Sequence, residues 1–318
     1  MSSAAQKAIP MAVFPHQHLT GINALSPDDI RTILDRAQDY ARRLEDSSFR
    51  SDLLRGRVIM SLFFENSTRT RVSFEMAAKR LGADVINWDV EASSLKKGES
   101  FSDTISTLNA MKPDAIVIRH SEFGAPDYVA QRVDCPVINA GDSWREHPTQ
   151  ALLDALTLQQ RGLKLDGSLT VAICGDIAHS RVASSNMILL RKMGVNVNII
   201  APAPLMPKKL PAGGVKTFSS LEEGLKGCDA VMMLRLQRER MQDGMIGSED
   251  EYFRQYGLTM EKLALAEPAA LVMHPGPMNR GVEIADDVAD DPTRSLILQQ
   301  VANGVPVRMA VLGLLVNK

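Results

Sequence analysis

Three hydroxyl residues and two arginines crowd the stretch Phe64-Glu65-Asn66-Ser67-Thr68-Arg69-Thr70-Arg71, at the exit of the apolar run 58–64. That run has the pattern of a buried strand. Residues 72–81 then show helical spacing (Val72, Met76 and the Lys79 stem; Phe74, Ala77, Ala78, Leu81), with Gly82 as the stop. Ser67 falls where a helix N-cap belongs. Free N–H groups and the positive end of the helix dipole meet there, so main chain, hydroxyls and a guanidinium fork together suit an oxyanion such as phosphate. A serine before a helix is also an ordinary cap, and an arginine on a turn is ordinarily solvated, so this stretch alone does not decide between the two.

The elements around it settle more. Residues 26–45 read as an amphipathic helix with Ser26 as cap and Pro27 at its first position. Strands are expected at 85–88, 115–118 and 136–139, with a helix face at Phe101, Ile105 and Leu108 and an exposed polar loop at 91–100. His147-Pro148-Thr149-Gln150 opens a helix that runs to about Gln160. From Leu169 the alternation restarts: strands at 169–174, 195–200, 215–218, 230–234 and 271–273, a helix at 182–193, and a capping box at Ser220 and Glu223. The charged segment 235–258 reads as an irregular, mobile loop, and the apolar segment from Val305 as a helix that packs back on the first half. Such alternation predicts an α/β fold of two Rossmann-like domains, each a parallel sheet flanked by helices, at 1–150 and 151–304, joined by long helices. Ligands of such sheets bind beyond the carboxyl ends of strands, and Ser67 to Arg71, Arg119, His147, Arg181, Arg235 and 274–277 all fall there.

Composition narrows the chemistry. The chain has 318 residues, 45% apolar and 23% charged, with a net charge of −2, so a basic cluster must be local and neither nucleic acid nor an anionic membrane is expected as a partner. No apolar run approaches a membrane span and residues 1–15 lack signal-peptide features, which makes the cytoplasm the expected compartment. Cys135, Cys174 and Cys228 lack metal-ligand spacing and read as buried thiols, and His16 and His18 have no acidic or cysteine partner nearby in sequence; no metal site is expected. Gly175-Asp176-Ile177-Ala178-His179-Ser180 lacks G-x-G-x-x-G, which argues against a nicotinamide-binding dehydrogenase.

With Phe64-Glu65-x-Ser67-Thr68-Arg69-Thr70-Arg71-x-Ser73-Phe74-Glu75, Lys96-Lys97-Gly98-Glu99, Arg119-His120, His147-Pro148-Thr149-Gln150 and His274-Pro275-x-Pro277, the chain resembles the carbamoyltransferases from about residue 14 to its C-terminus. It has no His-Cys-Leu-Pro and no Asp-x-Trp-x-Ser-Met-Gly segment, which the ornithine branch is expected to carry. Arg181 and Arg235 suit the two carboxylates of aspartate. The resemblance therefore implies carbamoyl phosphate plus L-aspartate giving N-carbamoyl-L-aspartate and phosphate, a step of de novo pyrimidine biosynthesis, with ornithine or another amine as the alternative acceptor; a catalytically silent binding subunit is a further reading, against which the presence of all the expected site residues argues.

Carried over by position, the resemblance implies that Ser67, Thr68, Arg69 and Thr70 hold the phosphate. It puts Thr70, Arg119 and His147 at the carbamoyl oxygen, and Gln150 with the Gly276 and Pro277 carbonyls at the nitrogen. Arg181, Arg235 and Gln237 take aspartate. Lys97 and Ser93 (or Ser94) reach a neighbouring subunit's site, Lys97 touching aspartate as well as phosphate. The implied assembly is a homotrimer with shared sites, open to regulatory or dihydroorotase-like partner chains, with no cofactor. A helix dipole at His147 would hold its imidazole neutral.

Overall fold

The computed structural model describes residues 14–88, 98–237 and 247–317. Its first half is a parallel sheet of β1 (Val58–Phe63), β2 (Asp84–Trp88), β3 (Ala115–His120) and β4 (Val137–Asp142), in the order β2-β1-β3-β4. Around it lie α1 (Pro27–Arg43), α2 (Thr68–Arg80), α3 (Phe101–Ala110) and α4 (Ala125–Ala130). The second half follows α5 (Pro148–Gln160). It comprises β5 (Thr170–Cys174), α6 (Arg181–Lys192), β6 (Asn196–Ile200), β7 (Val215–Phe218), α7 (Leu221–Gly224), β8 (Ala230–Met233), α8 (Glu249–Tyr256), α9 (Met260–Leu263), β9 (Leu271–Met273) and α10 (Asp286–Ala289). Its five strands are parallel in the order β7-β6-β5-β8-β9.

Both orders contain a reversal, between β1 and β3 and between β5 and β8, and that is where crossovers diverge and leave a crevice. The central strands read as unbroken apolar runs because helices cover both faces: Ile116, Val117 and Ile118 of β3 and Val171, Ala172 and Ile173 of β5 are all buried. The last helix, α11 (Ile297–Val316), packs on α1, α2 and α5. It buries Val307, Met309, Val311, Leu312 and Leu314, each large side chain contributing about 1.5–3 kcal/mol.

Several sequence expectations are corrected. Of the two sets of residues at helical spacing in α2, Phe74, Ala77, Ala78 and Leu81 form the core face, and Val72 and Met76 are exposed on the cleft side. The segment 235–258 is not irregular throughout: Ser248 accepts from the Glu251 N–H and starts α8, which Tyr252 anchors to the core. Ser220 makes no side-chain capping bond at the start of α7. The C-terminal helix begins at Ile297, eight residues before Val305, and α4 was not anticipated. His16 does have an acidic partner: its Nε2 lies 2.9 Å from Asp29 Oδ2, a contact that sequence distance hid. Asp29 also closes a capping box with Ser26, so this histidine braces a helix start. Lys97, Ser93 and Ser94 lie outside the described residues.

Candidate active site

A cleft of about 1030 Å³ opens between the carboxyl ends of the two sheets. From the first sheet, the turn after β1 and the first turn of α2 supply Ser67, Thr68, Arg69 and Thr70; the end of β3 supplies Arg119; the start of α5 supplies His147 and Gln150. From the second come Arg181 at the start of α6, Arg235 and Gln237 after β8, and Gly276 and Pro277 after β9. Every described residue to which the resemblance gave a substrate role thus lines one space, whereas Arg71 and His120 of the same motifs lie outside it.

Ser67 is the N-cap of α2, yet its hydroxyl makes no capping bond, so it remains available to a ligand. Arg69 has no ion pair or hydrogen bond to a described residue. Its guanidinium carbon lies 3.1 Å from where a Cβ on Gly276 would stand, and Gly276 itself has φ +64°, so glycine lets the β9 turn approach this arginine.

Deeper in the cleft the charges are paired. Glu65 holds Arg181 at 2.9 Å and Arg119 at 3.1 Å, joining guanidiniums from the two halves. Arg181 also donates to the Ser143 carbonyl at 3.0 Å. A Cβ on Gly141 (φ +139°) would stand 3.1 Å from Arg181 Cζ and 3.2 Å from Arg119 Nη1, so the two cations converge over bare backbone. Gln237 donates through Nε2 to the His179 carbonyl at 2.9 Å.

His147 is buried at the N-cap of α5, with its backbone N–H on Ser185 Oγ at 2.8 Å and Nε2 3.4 Å from Thr70 Oγ1. Burial first, then the Arg308, Arg119 and Arg181 charges, pushes its pKa well below that of a free imidazole. The neutrality expected from the helix dipole is therefore also secured by burial and three cations. Its folded pKa lies below the unfolded value of about 6.5, so the stability this residue contributes is present above that pH and is lost as pH falls below it. We expect its ring nitrogens to keep neutral NMR shifts from pH 8 down to 6. A titration midpoint inside that interval would contradict the burial argument.

Four residues that sequence reasoning gave no role complete the site: Glu65, Asp154, Gln300 and Arg308. Arg308 comes from α11, is 3% exposed, stacks over Phe74 at 4.9 Å, and has an Nε without a hydrogen-bond partner. Burial first, and then Arg119, lowers its pKa to about 9. A lone arginine inside the apolar run 305–316 was the signal for it. Such convergence of cations is costly in the absence of an anion, which fits a site for anionic ligands. Among the described residues no cluster of histidine, cysteine or acidic side chains could hold a metal ion, and all three cysteines are buried.

Known proteins resemble the chain over nearly its whole length. The family described as "Aspartate/ornithine carbamoyltransferase, carbamoyl-P binding domain" matches residues 17–160, and its "Asp/Orn binding domain" matches residues 167–315. The aspartate carbamoyltransferase catalytic subunit of Rhodospirillum rubrum is 58% identical over 308 residues, 97% of this chain and 96% of that one. The subunit of the same name from Methylorubrum populi is 58% identical over 94% of each chain. Among solved structures, Trypanosoma cruzi aspartate transcarbamoylase in complex with N-(phosphonacetyl)-L-aspartic acid superposes with a TM-score of 0.84 at 31% identity, covering 98% of this chain and 99% of that one. Ornithine carbamoyltransferase from Pyrococcus furiosus gives 0.86 at 27% identity, covering 96% and 98%. The chain belongs to the aspartate/ornithine carbamoyltransferase family.

Proposed function

We propose that the chain transfers the carbamoyl group of carbamoyl phosphate to L-aspartate, releasing N-carbamoyl-L-aspartate and phosphate, in the cytoplasm and in the service of pyrimidine synthesis. The observation that carries this is the pair Arg181 and Arg235 lining the second-sheet wall, opposite the Ser67–Thr70 cradle. Two guanidiniums suit a dicarboxylate; the amines of ornithine would need acidic partners. The fold does not choose, since the ornithine and aspartate enzymes superpose about equally well, but the 58% identical relatives bear the aspartate name.

In this reading the first half, about 1–150 with the C-terminal helix, takes carbamoyl phosphate, and 151–304 takes aspartate. Ser67, Thr68 and Arg69 grip the phosphate. Thr70, Arg119 and His147 donate to the carbonyl oxygen, while Gln150 and the carbonyls of Gly276 and Pro277 accept from the nitrogen. Arg181, Arg235 and Gln237 hold aspartate with its neutral α-amine facing the carbamoyl carbon. The amine lone pair attacks that carbon, and the tetrahedral oxyanion gains hydrogen bonds stronger than those of the ground-state carbonyl. The C–O bond to phosphate then breaks, and the departing phosphate accepts the ammonium proton. Bringing two anions together and excluding water supplies much of the acceleration. An assay of carbamoyl transfer to aspartate, ornithine and putrescine side by side tests the reading: turnover confined to ornithine or putrescine would overturn it.

The same reading makes the enzyme a homotrimer in which Lys97 and Ser93 of one chain complete a neighbour's site, with regulatory or dihydroorotase-like chains as further partners. Mixing inactive Arg69→Ala and Lys97→Ala chains after reversible dissociation should restore measurable activity, because some sites in mixed trimers receive both native residues. No recovery in verified hybrids would refute sharing.

A further inference from the structure

Asp154 sits in the middle of α5 with none of its surface exposed and no ion pair among the described residues. It accepts three side-chain amides: Gln150 Nε2 at 2.9 Å and Gln300 Nε2 at 2.8 Å on Oδ1, and Asn186 Nδ2 at 2.8 Å on Oδ2. Burial raises its pKa to about 6, which leaves it ionised at neutral pH. The Arg308 charge acts on it without forming an ion pair, and a buried carboxylate so placed costs stability that an apolar side chain of the same size would not, so packing does not account for it.

An ionised carboxylate can only accept hydrogen bonds, so each amide must turn its nitrogen inward. For Gln150, which lines the cleft, this leaves Oε1 as the outward end, without a partner among the described residues. For Gln300 it leaves Oε1 to accept the His274 N–H at 2.9 Å. His274 Nδ1 in turn accepts the Gly276 N–H at 2.8 Å, and its Nε2 lies 3.2 Å from Glu283 Oε1. Pro275 and Pro277 have no N–H, so once Gly276 has donated to His274 the turn 275–277 has only carbonyl oxygens to offer.

We propose that Asp154 is a positioning residue that makes one end of the cleft acceptor-only, by orienting Gln150 directly and the 275–277 turn through Gln300 and His274, and so selects an –NH2 over a methyl group on the acyl phosphate. This rests on the carbamoyl phosphate reading above. A site built from oriented acceptors rejects an isostere that leaves them unpaired, and acetyl phosphate is that isostere.

The test compares the KM for carbamoyl phosphate with the Ki of acetyl phosphate, at saturating aspartate, in the native enzyme and in Asp154→Ala, Gln300→Met and Asp154→Asn. In Asp154→Ala the KM should rise about 30-fold while the Ki stays within about threefold, since only the donor that presents N–H loses partners. Gln300→Met should shift the same ratio in the same direction, less far, and it carries the test if Asp154→Ala does not fold. Asp154→Asn should keep the native ratio: its oxygen can face the two glutamines while its nitrogen faces Asn186, whose amide turns over to present the otherwise unpartnered Oδ1 and gives up its bond to the Val182 carbonyl. Equal weakening of both ligands in the Ala and Met variants, as a general packing defect would give, overturns the proposal, as does loss of the ratio in Asp154→Asn. If the native enzyme fails to carbamoylate aspartate, the functional reading falls instead, a result separable from an active enzyme whose variants keep the native ratio.

Discussion

Arg69→Ala should lower kcat by about 1,000-fold or more while changing the unfolding free energy by no more than about 0.5 kcal/mol. The two halves of that expectation have separate causes. Arg69 stands on the first exposed turn of α2 and makes no ion pair or hydrogen bond to a described residue, so its removal breaks no structural contact of that kind. Its guanidinium instead faces the Gly276 turn across the mouth of the cleft, beside the N-terminal N–H groups of the helix. Phosphate gains charge as it leaves, and a planar fork stabilises that charge more in the transition state than in bound carbamoyl phosphate, so kcat should suffer more than KM. Arg69→Lys should fall between native and Ala, since lysine restores the charge but not the bidentate geometry. Steady-state kinetics with a thermal melt checks all three; near-native kcat in the alanine variant would remove the phosphate role of this residue.

The strands were readable because parallel strands buried on both faces are contiguous apolar runs, and Ile116 to Ile118 or Val171 to Ile173 admit little else. Helix α1 was readable from its cap and its stripe. By contrast α8 carries one buried side chain, Tyr252, in an otherwise charged segment, so its periodicity was too weak to see without the tertiary contact that holds it. Helix α2 shows a similar gap: Val72 and Met76 obey helical spacing as Phe74, Ala77, Ala78 and Leu81 do, and which apolar face meets the core depends on where β1 and α11 lie.

The strand-exit residues were legible for a different reason. Chemistry at a helix N-terminus is local in sequence, so Ser67 to Thr70 and His147 to Gln150 announce themselves within a few positions. Asp154, Gln300 and Arg308 do not, because their function depends on α5 meeting α11; Asp154 and Gln300 are separated by 146 positions and joined by a 2.8 Å hydrogen bond. Glu65 lay inside the quoted motif, but its task, bridging Arg119 and Arg181, requires the second sheet to be in place. Sequence thus revealed the groups that face the ligands better than the groups that orient them.

Arg181→Met should raise the aspartate KM by about 100-fold while altering the carbamoyl phosphate KM by less than about fivefold, because a charge-assisted hydrogen bond to a carboxylate carries about 1.5–3 kcal/mol and a partly desolvated one lies at the upper end. Arg181 is 7% exposed, so methionine can occupy its stem volume, and Ser143 loses only one donor to its carbonyl. Glu65 keeps Arg119, which limits the structural damage to about 1–2 kcal/mol, below the cost of stranding a fully buried charge. Glu65→Gln separates the two effects. It removes the bridge between the guanidiniums but leaves Arg181 for the acceptor and Arg119 for the carbamoyl oxygen, so the melting temperature should fall while the aspartate KM moves far less than in Arg181→Met. Should Arg181→Met bind aspartate within about twofold of native, Arg181 would be a structural cation tied to Glu65, and the acceptor carboxylates would have to be assigned to Arg235 and its neighbours alone.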